Sequence, residues 1–310
     1  MTTPQDDHPS DGQPSASAAE PSTASGSAGG AWKRRLGFWI GAVLLGASVV
    51  YVLRQRELLI GAWDALRSPD PLFAGVLVAS IVGNVMFSAA LFTVLTRRFG
   101  RVGVVEMQAV IASATLVNYL PLRPGMLGRI AYHHHVNKIR PTHILRTMIE
   151  AAGISIAVAG ALALSLLGRH WLGGPLAAWI AAPYVVALAG LLAGGPVRLY
   201  VIGAVLRLAE VLLWAARYWA AFGLIGEPIG AESSLALACV SVIATMIPLV
   251  SNGLGVREWA IGLVAPMLDA ATMALGITAE LVNRAAELLV IAALGLAASW
   301  YLTARRRTRP

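Results

Sequence analysis

Two interruptions in otherwise lipid-length apolar sequence constrain this chain most. The first reads Pro121-Leu122-Arg123-Pro124-Gly125-Met126-Leu127-Gly128, with Arg129 next. The second, 127 positions later, reads Pro248-Leu249-Val250-Ser251-Asn252-Gly253-Leu254-Gly255, with Val256 and Arg257 next. Each opens Pro-Leu, closes Leu-Gly and has an arginine just beyond. In hydrocarbon a broken backbone leaves amides and carbonyls unpaired, at several kcal/mol each unless they line a cavity or a site. Two matched breaks point to a duplicated unit with its binding site at the breaks.

Composition fixes the solvent. The chain is 57% hydrophobic and 13% charged, with mean hydropathy +0.69; a soluble domain carries about 25% charged residues. The reading is an all-α polytopic integral membrane protein. The net charge is +8, and 22 of the 24 basic residues are Arg. These cations flank apolar spans and have no interleaved aromatics, so they are read as setting membrane orientation and meeting anionic lipid; no nucleic-acid partner is expected. The single Cys239 excludes an intrachain disulfide and a thiolate cluster.

Residues 1–31 hold no Lys or Arg and few large apolar side chains, and read as a disordered tail. Residues 32–310 form the membrane domain. Lys33, Arg34 and Arg35 introduce a full-length apolar span, so this start is a signal anchor rather than a cleaved leader. Six spans are expected, at about 36–53, 71–95, 147–167, 175–193, 197–225 and 275–302, with the broken segments between the second and third and between the fifth and sixth.

Basic residues then set the sidedness. Lys33–Arg35, Arg97, Arg98, Arg101, Lys138, Arg140, Arg198 and Arg305–Arg307 share one face only if each broken segment is a re-entrant hairpin, returning to the side it entered from. That face is cytoplasmic by the positive-inside rule, which puts both termini in the cytoplasm and the protein in the plasma membrane. The opposite face keeps Arg54, Arg56, Arg67 and Arg169, partly balanced by Glu57, Asp64 and Asp70. The unit span–hairpin–span occurs twice (about 71–168 and 197–303) with one span between, so the repeats are inverted.

After each break a helix is expected to restart near Gly125 and Gly253. Helix starts expose unpaired N–H groups and a positive dipole end that attract anions, phosphate above all. Arg129 and Arg257 would add two-pronged phosphate contacts, and Gly125, Gly128, Gly253 and Gly255 would let backbone approach a ligand. The bland alternative is that Pro and Gly only turn a hairpin. Within the spans, Arg146/Glu150, Arg207/Glu210 and Arg284/Glu287 sit at helical pairing distance. Each pair either locks helices together or serves a wet path. Arg284, with Asn283 and Glu287, is the preferred functional site, and Arg217 needs a distant partner or an anionic ligand. His133, His134 and His135 are consecutive, so they diverge around a helix and are read as interfacial rather than metal-binding. No metal, cofactor or hydrolase motif is found, and no enzymatic activity is expected.

Asn118-Tyr119-Leu120-Pro121-Leu122-Arg123-Pro124-Gly125-Met126-Leu127-Gly128 resembles the N-x-L-P-x-x-x-G-x-x-G signature of the lysylphosphatidylglycerol synthase transmembrane family. Pro248 with Asn252-Gly253-Leu254-Gly255-Val256-Arg257-Glu258 resembles its second signature, P-x-x-x-G-G-x-G-x-R-E, with Asn252 in place of the first glycine. The likeness covers about residues 72–303, and Arg284 matches the family's last-helix arginine. It implies a flippase-like protein for an anionic or aminoacylated phospholipid, or a related polyprenyl-linked lipid, without a synthetic domain. Gly128-Arg129 departs from the small-acidic continuation usual in that family. From the breaks, the intramembrane charges and the resemblance together, the candidate lipid- or anion-binding residues are Asn118, Arg123, Gly125, Gly128, Arg129, Asn252, Gly253, Gly255, Arg257, Glu258, Arg284 and Glu287. Two alternatives stay open: a membrane scaffold that docks a cytosolic glycosyl- or aminoacyl-transferase, and a carrier for a small soluble anion.

Overall fold

The computed structural model describes residues 28–120, 123–193, 195–246 and 253–308. Most of the expected tail, and Pro121, Leu122, Pro248 and Asn252 at the breaks, lie outside the described residues. Among those residues every regular element is helical: α1 (Ala28–Leu53), α2 (Arg56–Arg67), α3 (Pro71–Thr96), α4 (Val104–Val117), α5 (Pro124–Asn137), α6 (Pro141–Leu172), α7 (Leu176–Ala189), a 3-10 turn (Gly190–Ala193), α8 (Gly195–Leu224), α9 (Ala231–Thr245), α10 (Val256–Met267) and α11 (Met273–Thr308). The residues expected in the tail from position 28 onward are thus already helical.

Four helices, α3, α6, α8 and α11, are long and apolar enough to cross a membrane. The other two expected spans correspond to α1, whose described apolar part is Ala42–Leu53, and to α7 with its 3-10 turn, an apolar stretch of Leu176–Leu192 interrupted by Pro183. Local chemistry sets the ends. Pro71 and Pro141 occupy first turns, where their missing N–H groups leave no bond unmade. The Asp70 side chain accepts the N–H of Leu72 at 2.8 Å, and α6 stops at Gly173, whose φ is +71°. The long helices turn apolar side chains outward: Leu164, Leu289, Leu296 and Trp300 are 69%, 74%, 65% and 77% exposed. In water such a surface would drive aggregation, whereas in lipid it is solvated. This is a membrane-embedded protein.

The set α3–α4–α5–α6 is matched by α8–α9–α10–α11. Exchanging the two sets leaves the packing scheme unchanged. α3 lies on α8, α4 lies on α11 as α9 lies on α6, and α5 folds back on α4 as α10 does on α9. α3 and α8 run antiparallel, since Phe73, Gly83 and Leu91 meet Gly223, Leu213 and Gly203 in turn. A residue of α3 and the one 127 places later in α8 come level only at the crossing, near Asn84 and Val211.

Ion pairs show which helix ends share a level. Arg98, just past α3, donates to Glu150 early in α6, and the Tyr200 hydroxyl early in α8 donates to Glu150 at 2.9 Å. At this first face Arg305, late in α11, pairs with Glu106 in the first turn of α4 at 3.1 Å. At the other face Arg169, late in α6, pairs with Glu232 in the first turn of α9. The short helices α4 and α9 therefore start from opposite ends of the molecule, each pinned to the long helix of the other set.

Candidate anion site at the helix breaks

The break between α4 and α5 is closed by two devices. Asn118 follows α4, and its side-chain oxygen accepts the N–H of Met126 in the first turn of α5 at 3.0 Å. Arg123 precedes α5 with a left-handed backbone, φ +47°, which a non-glycine residue adopts only under tertiary constraint. The return is tight: a Cβ on Gly125 would overlap the Ala114 carbonyl oxygen of α4.

Beside this break lies a cavity of about 390 Å³, walled by α3, α4, α5, α6, α8, α9 and α11. Its charged lining is Arg123, Arg129, Arg207, Arg217, Glu210 and Glu287, four cations against two carboxylates. A surplus of arginine among the described lining residues is expensive in a membrane interior unless water or an anion reaches it.

The arginines differ in what holds them. Arg207 pairs with Glu210 on its own helix at 2.5 Å. Arg217 donates to Asn283 at 3.0 and 2.8 Å and to Glu287 at 2.7 Å, with its guanidinium carbon 4.0 Å from the Trp214 ring centre. Arg129 has no carboxylate partner among the described residues. Its guanidinium carbon lies 4.0 Å from the Phe92 ring centre, and its buried Nε has no hydrogen-bond acceptor there. The reason lies in α6, the long helix after α5: its one acidic residue, Glu150, is already bonded to Arg98, Arg146 and Tyr200.

The second break has the opposite character. Arg257 is fully buried, donates to Glu280, and reaches Glu287 at 2.9 Å. Glu280 also accepts from Tyr218 at 2.8 Å and from Asn283 at 3.0 Å. Arg284 donates to Glu258 at 3.0 Å and to the Gly253 carbonyl at 3.4 Å. Arg217, Arg257 and Arg284 with Glu258, Glu280 and Glu287 make a neutral network joining α8, α10 and α11. The second break thus gives α10 an arginine held by two carboxylates, while the first gives α5 a cavity-lining arginine with no carboxylate partner among the described residues.

Of the residues marked in the sequence, Asn118, Arg123, Arg129 and Glu287 line the cavity. Gly125, Gly128 and Arg129 line a second hollow of about 290 Å³ between α4, α5 and α11. Gly253 and Gly255 take φ +69° and +78° ahead of α10, whereas Arg257, Glu258 and Arg284 do not line the cavity but sit in the network, which borders it through Arg217 and Glu287. Asn252 lies outside the described residues.

The new helices begin at Pro124 and Val256, near Gly125 and Gly253 as expected. Three local expectations change. The Arg284/Glu287 pair is not made, because Arg284 reaches across to α10 while Glu287 is taken by Arg217 and Arg257. Gly125 admits the backbone of α4, so its close approach is packing. His133 is buried, with Nδ1 3.0 Å from Asn137 Nδ2, and only His134 and His135 are exposed. The pairs Arg146/Glu150 and Arg207/Glu210 form.

Sequence reasoning passed over Asn84 and Glu280. Both are buried in long helices, and the signal available was a polar residue within an apolar span. The chain matches no protein-family model, no curated protein and no solved structure.

Proposed function

We propose that this protein carries the headgroup of an anionic phospholipid, or a related phosphate-linked lipid, across the plasma membrane. Arg129 supports this most: it is an arginine on the wall of an intramembrane cavity with an aromatic ring behind it and, among the described residues, no carboxylate to neutralise it. Phosphate oxygens match a guanidinium fork, and a low-dielectric setting strengthens that contact. The acyl chains would stay in the bilayer along the outward apolar faces while the headgroup passes through the cavity.

On this reading α4–α5 and α9–α10 are re-entrant hairpins inserted from opposite leaflets, and the two sets of four helices are inverted repeats between which access alternates. Six spans are then completed by α1 and α7. Exposed Arg97, Arg101, Lys138, Arg140 and Arg198 make the first face cytoplasmic, which sets both termini there. The two break signatures, similar to those of the lysylphosphatidylglycerol synthase transmembrane family, favour lipid over a soluble anion. With no nucleotide motif in the chain, an ion gradient, the membrane potential or the lipid gradient would drive the movement.

The test is leaflet exchange of acyl-labelled phosphatidylglycerol in proteoliposomes. The wild-type protein should accelerate exchange over protein-free vesicles, and Arg129→Gln should slow it at least about tenfold, since losing a charge-assisted bond costs about 1.5–3 kcal/mol. Equal exchange by wild type and variant would remove Arg129 from the mechanism. No exchange with wild type would defeat the proposal.

A further inference from the structure

One wall of the cavity lies where α3 crosses α8. Asn84 of α3 and Glu210 of α8 are level there, because the adjacent Gly83 packs on Leu213, with an added Cβ 2.6 Å from its Cδ1, and Leu91 packs against Gly203. Both line the cavity and are more than nine-tenths buried, at 7% and 6% exposure. Glu210 spends Oε1 on Arg207, and its Oε2 has no hydrogen-bond partner among the described residues; neither has the amide oxygen or nitrogen of Asn84. Buried polar atoms in native proteins are nearly always satisfied, so a cluster that is not calls for something to satisfy it.

The chemistry of these atoms says what arrives. A carboxylate oxygen only accepts, and the Asn84 amide oxygen only accepts. The Asn84 amide nitrogen donates and can meet a phosphate or a hydroxyl oxygen alike, but a bare phosphate or sulfate would meet Glu210 with like charge and leave both acceptors empty, whereas a hydroxyl both donates and accepts. A group that donates fits both. We infer that Asn84 and Glu210 form a donor-reading subsite: a headgroup that sets its phosphate on Arg129 presents a hydroxyl or ammonium to this pair. The inference rests on the lipid-transport proposal and adds which headgroups the cavity prefers, namely phosphodiesters bearing a hydrogen-bond donor over those without one.

Two lipids of equal charge and identical acyl chains separate the possibilities. Phosphatidylglycerol carries two headgroup hydroxyls and phosphatidylmethanol carries none. Binding of each to the purified full-length protein is measured by native mass spectrometry. Wild type should prefer phosphatidylglycerol by about tenfold, because a site built to hydrogen-bond a hydroxyl rejects the analogue that lacks it. Asn84→Ala should bring the ratio close to one without weakening phosphatidylmethanol, and Glu210→Gln should lower it. Arg129→Gln should weaken both lipids by the same factor. Asn84 makes no side-chain hydrogen bond among the described residues, so its truncation removes none that the fold relies on. Equal binding of the two lipids by wild type, or an intact preference in Asn84→Ala, overturns the subsite and leaves the transport proposal standing. Binding of neither lipid overturns both.

Discussion

Arg129 of α5 lies over Phe92 of α3, guanidinium carbon to ring centre 4.0 Å, and that ring takes the place of a counter-ion. A cation–π contact of this kind is worth about 0.5–2 kcal/mol. It can steady the side chain without saturating it. Phe92→Leu should therefore reduce lipid exchange by a factor of about 2–30, less than Arg129→Gln does, and Phe92→Tyr should be close to wild type. Exchange kinetics in proteoliposomes check the order. Phe92→Leu slower than Arg129→Gln would mean that the ring does more than support the cation.

Arg257 should behave in the opposite way. Its removal leaves buried Glu280 without a cation, holding only Tyr218 and Asn283, and leaves Glu287 with Arg217; breaking such a buried pair costs about 3–5 kcal/mol. Arg257→Ala should lower the Tm in detergent markedly, whereas Arg129→Ala should leave it nearly unchanged. Thermal unfolding followed by size-exclusion chromatography decides the matter. The reverse ranking would mean that Arg129, not Arg257, is the structural arginine.

The two latches at the molecule's ends differ in burial although they occupy equivalent places. The side chains of Arg169 and Glu232 are 28% and 41% exposed, so Glu232→Ala should cost about 0–1 kcal/mol. Glu106 is 2% exposed and bonded both to Arg305 and to Tyr132, whose hydroxyl donates at 3.2 Å. Glu106→Ala should be clearly the more damaging in the same thermal assay.

Two glycines three positions apart predict a sharp contrast. Gly125→Ala drives a Cβ into the Ala114 carbonyl oxygen, a backbone atom with no room to yield, and should abolish the folded, monodisperse protein. Gly128→Ala meets nothing within 4 Å and replaces a helical glycine, so it should be neutral or stabilise by up to about 1 kcal/mol. Expression and Tm of the two variants check both halves.

Sidedness can be read with membrane-impermeant thiol reagents in a Cys239→Ser background. Lys138→Cys follows α5, and Asp269→Cys lies between α10 and α11. If the hairpins enter from opposite leaflets, the first labels only from the cytoplasm and the second only from outside. Labelling of both from one side would exclude the inverted arrangement.

Much of this architecture is legible in the chain itself. The four long helices follow from uninterrupted apolar runs, and the two short-helix pairs follow from Pro and Gly at matched places. Partner choice is harder to read. Spacing along α11 marks Glu287 as the neighbour of Arg284, yet the guanidinium turns to Glu258 on another helix. Periodicity describes one helix surface, while a buried charge takes whichever opposite charge the packing brings closest. For the same reason Arg129 and Arg257 look alike in sequence and differ in surroundings: α11 offers Glu280 and Glu287, and α6 offers no free carboxylate.

The antiparallel crossing near Asn84 and Val211 has an evolutionary consequence. In a half-length ancestor inserted in both orientations, a residue at that point would have faced its own copy, so any charge there would have repelled itself. A single polypeptide carries no such restriction, so its two halves can differ there: α5 holds an arginine without a carboxylate partner among the described residues, while α10 buries its arginine between two carboxylates.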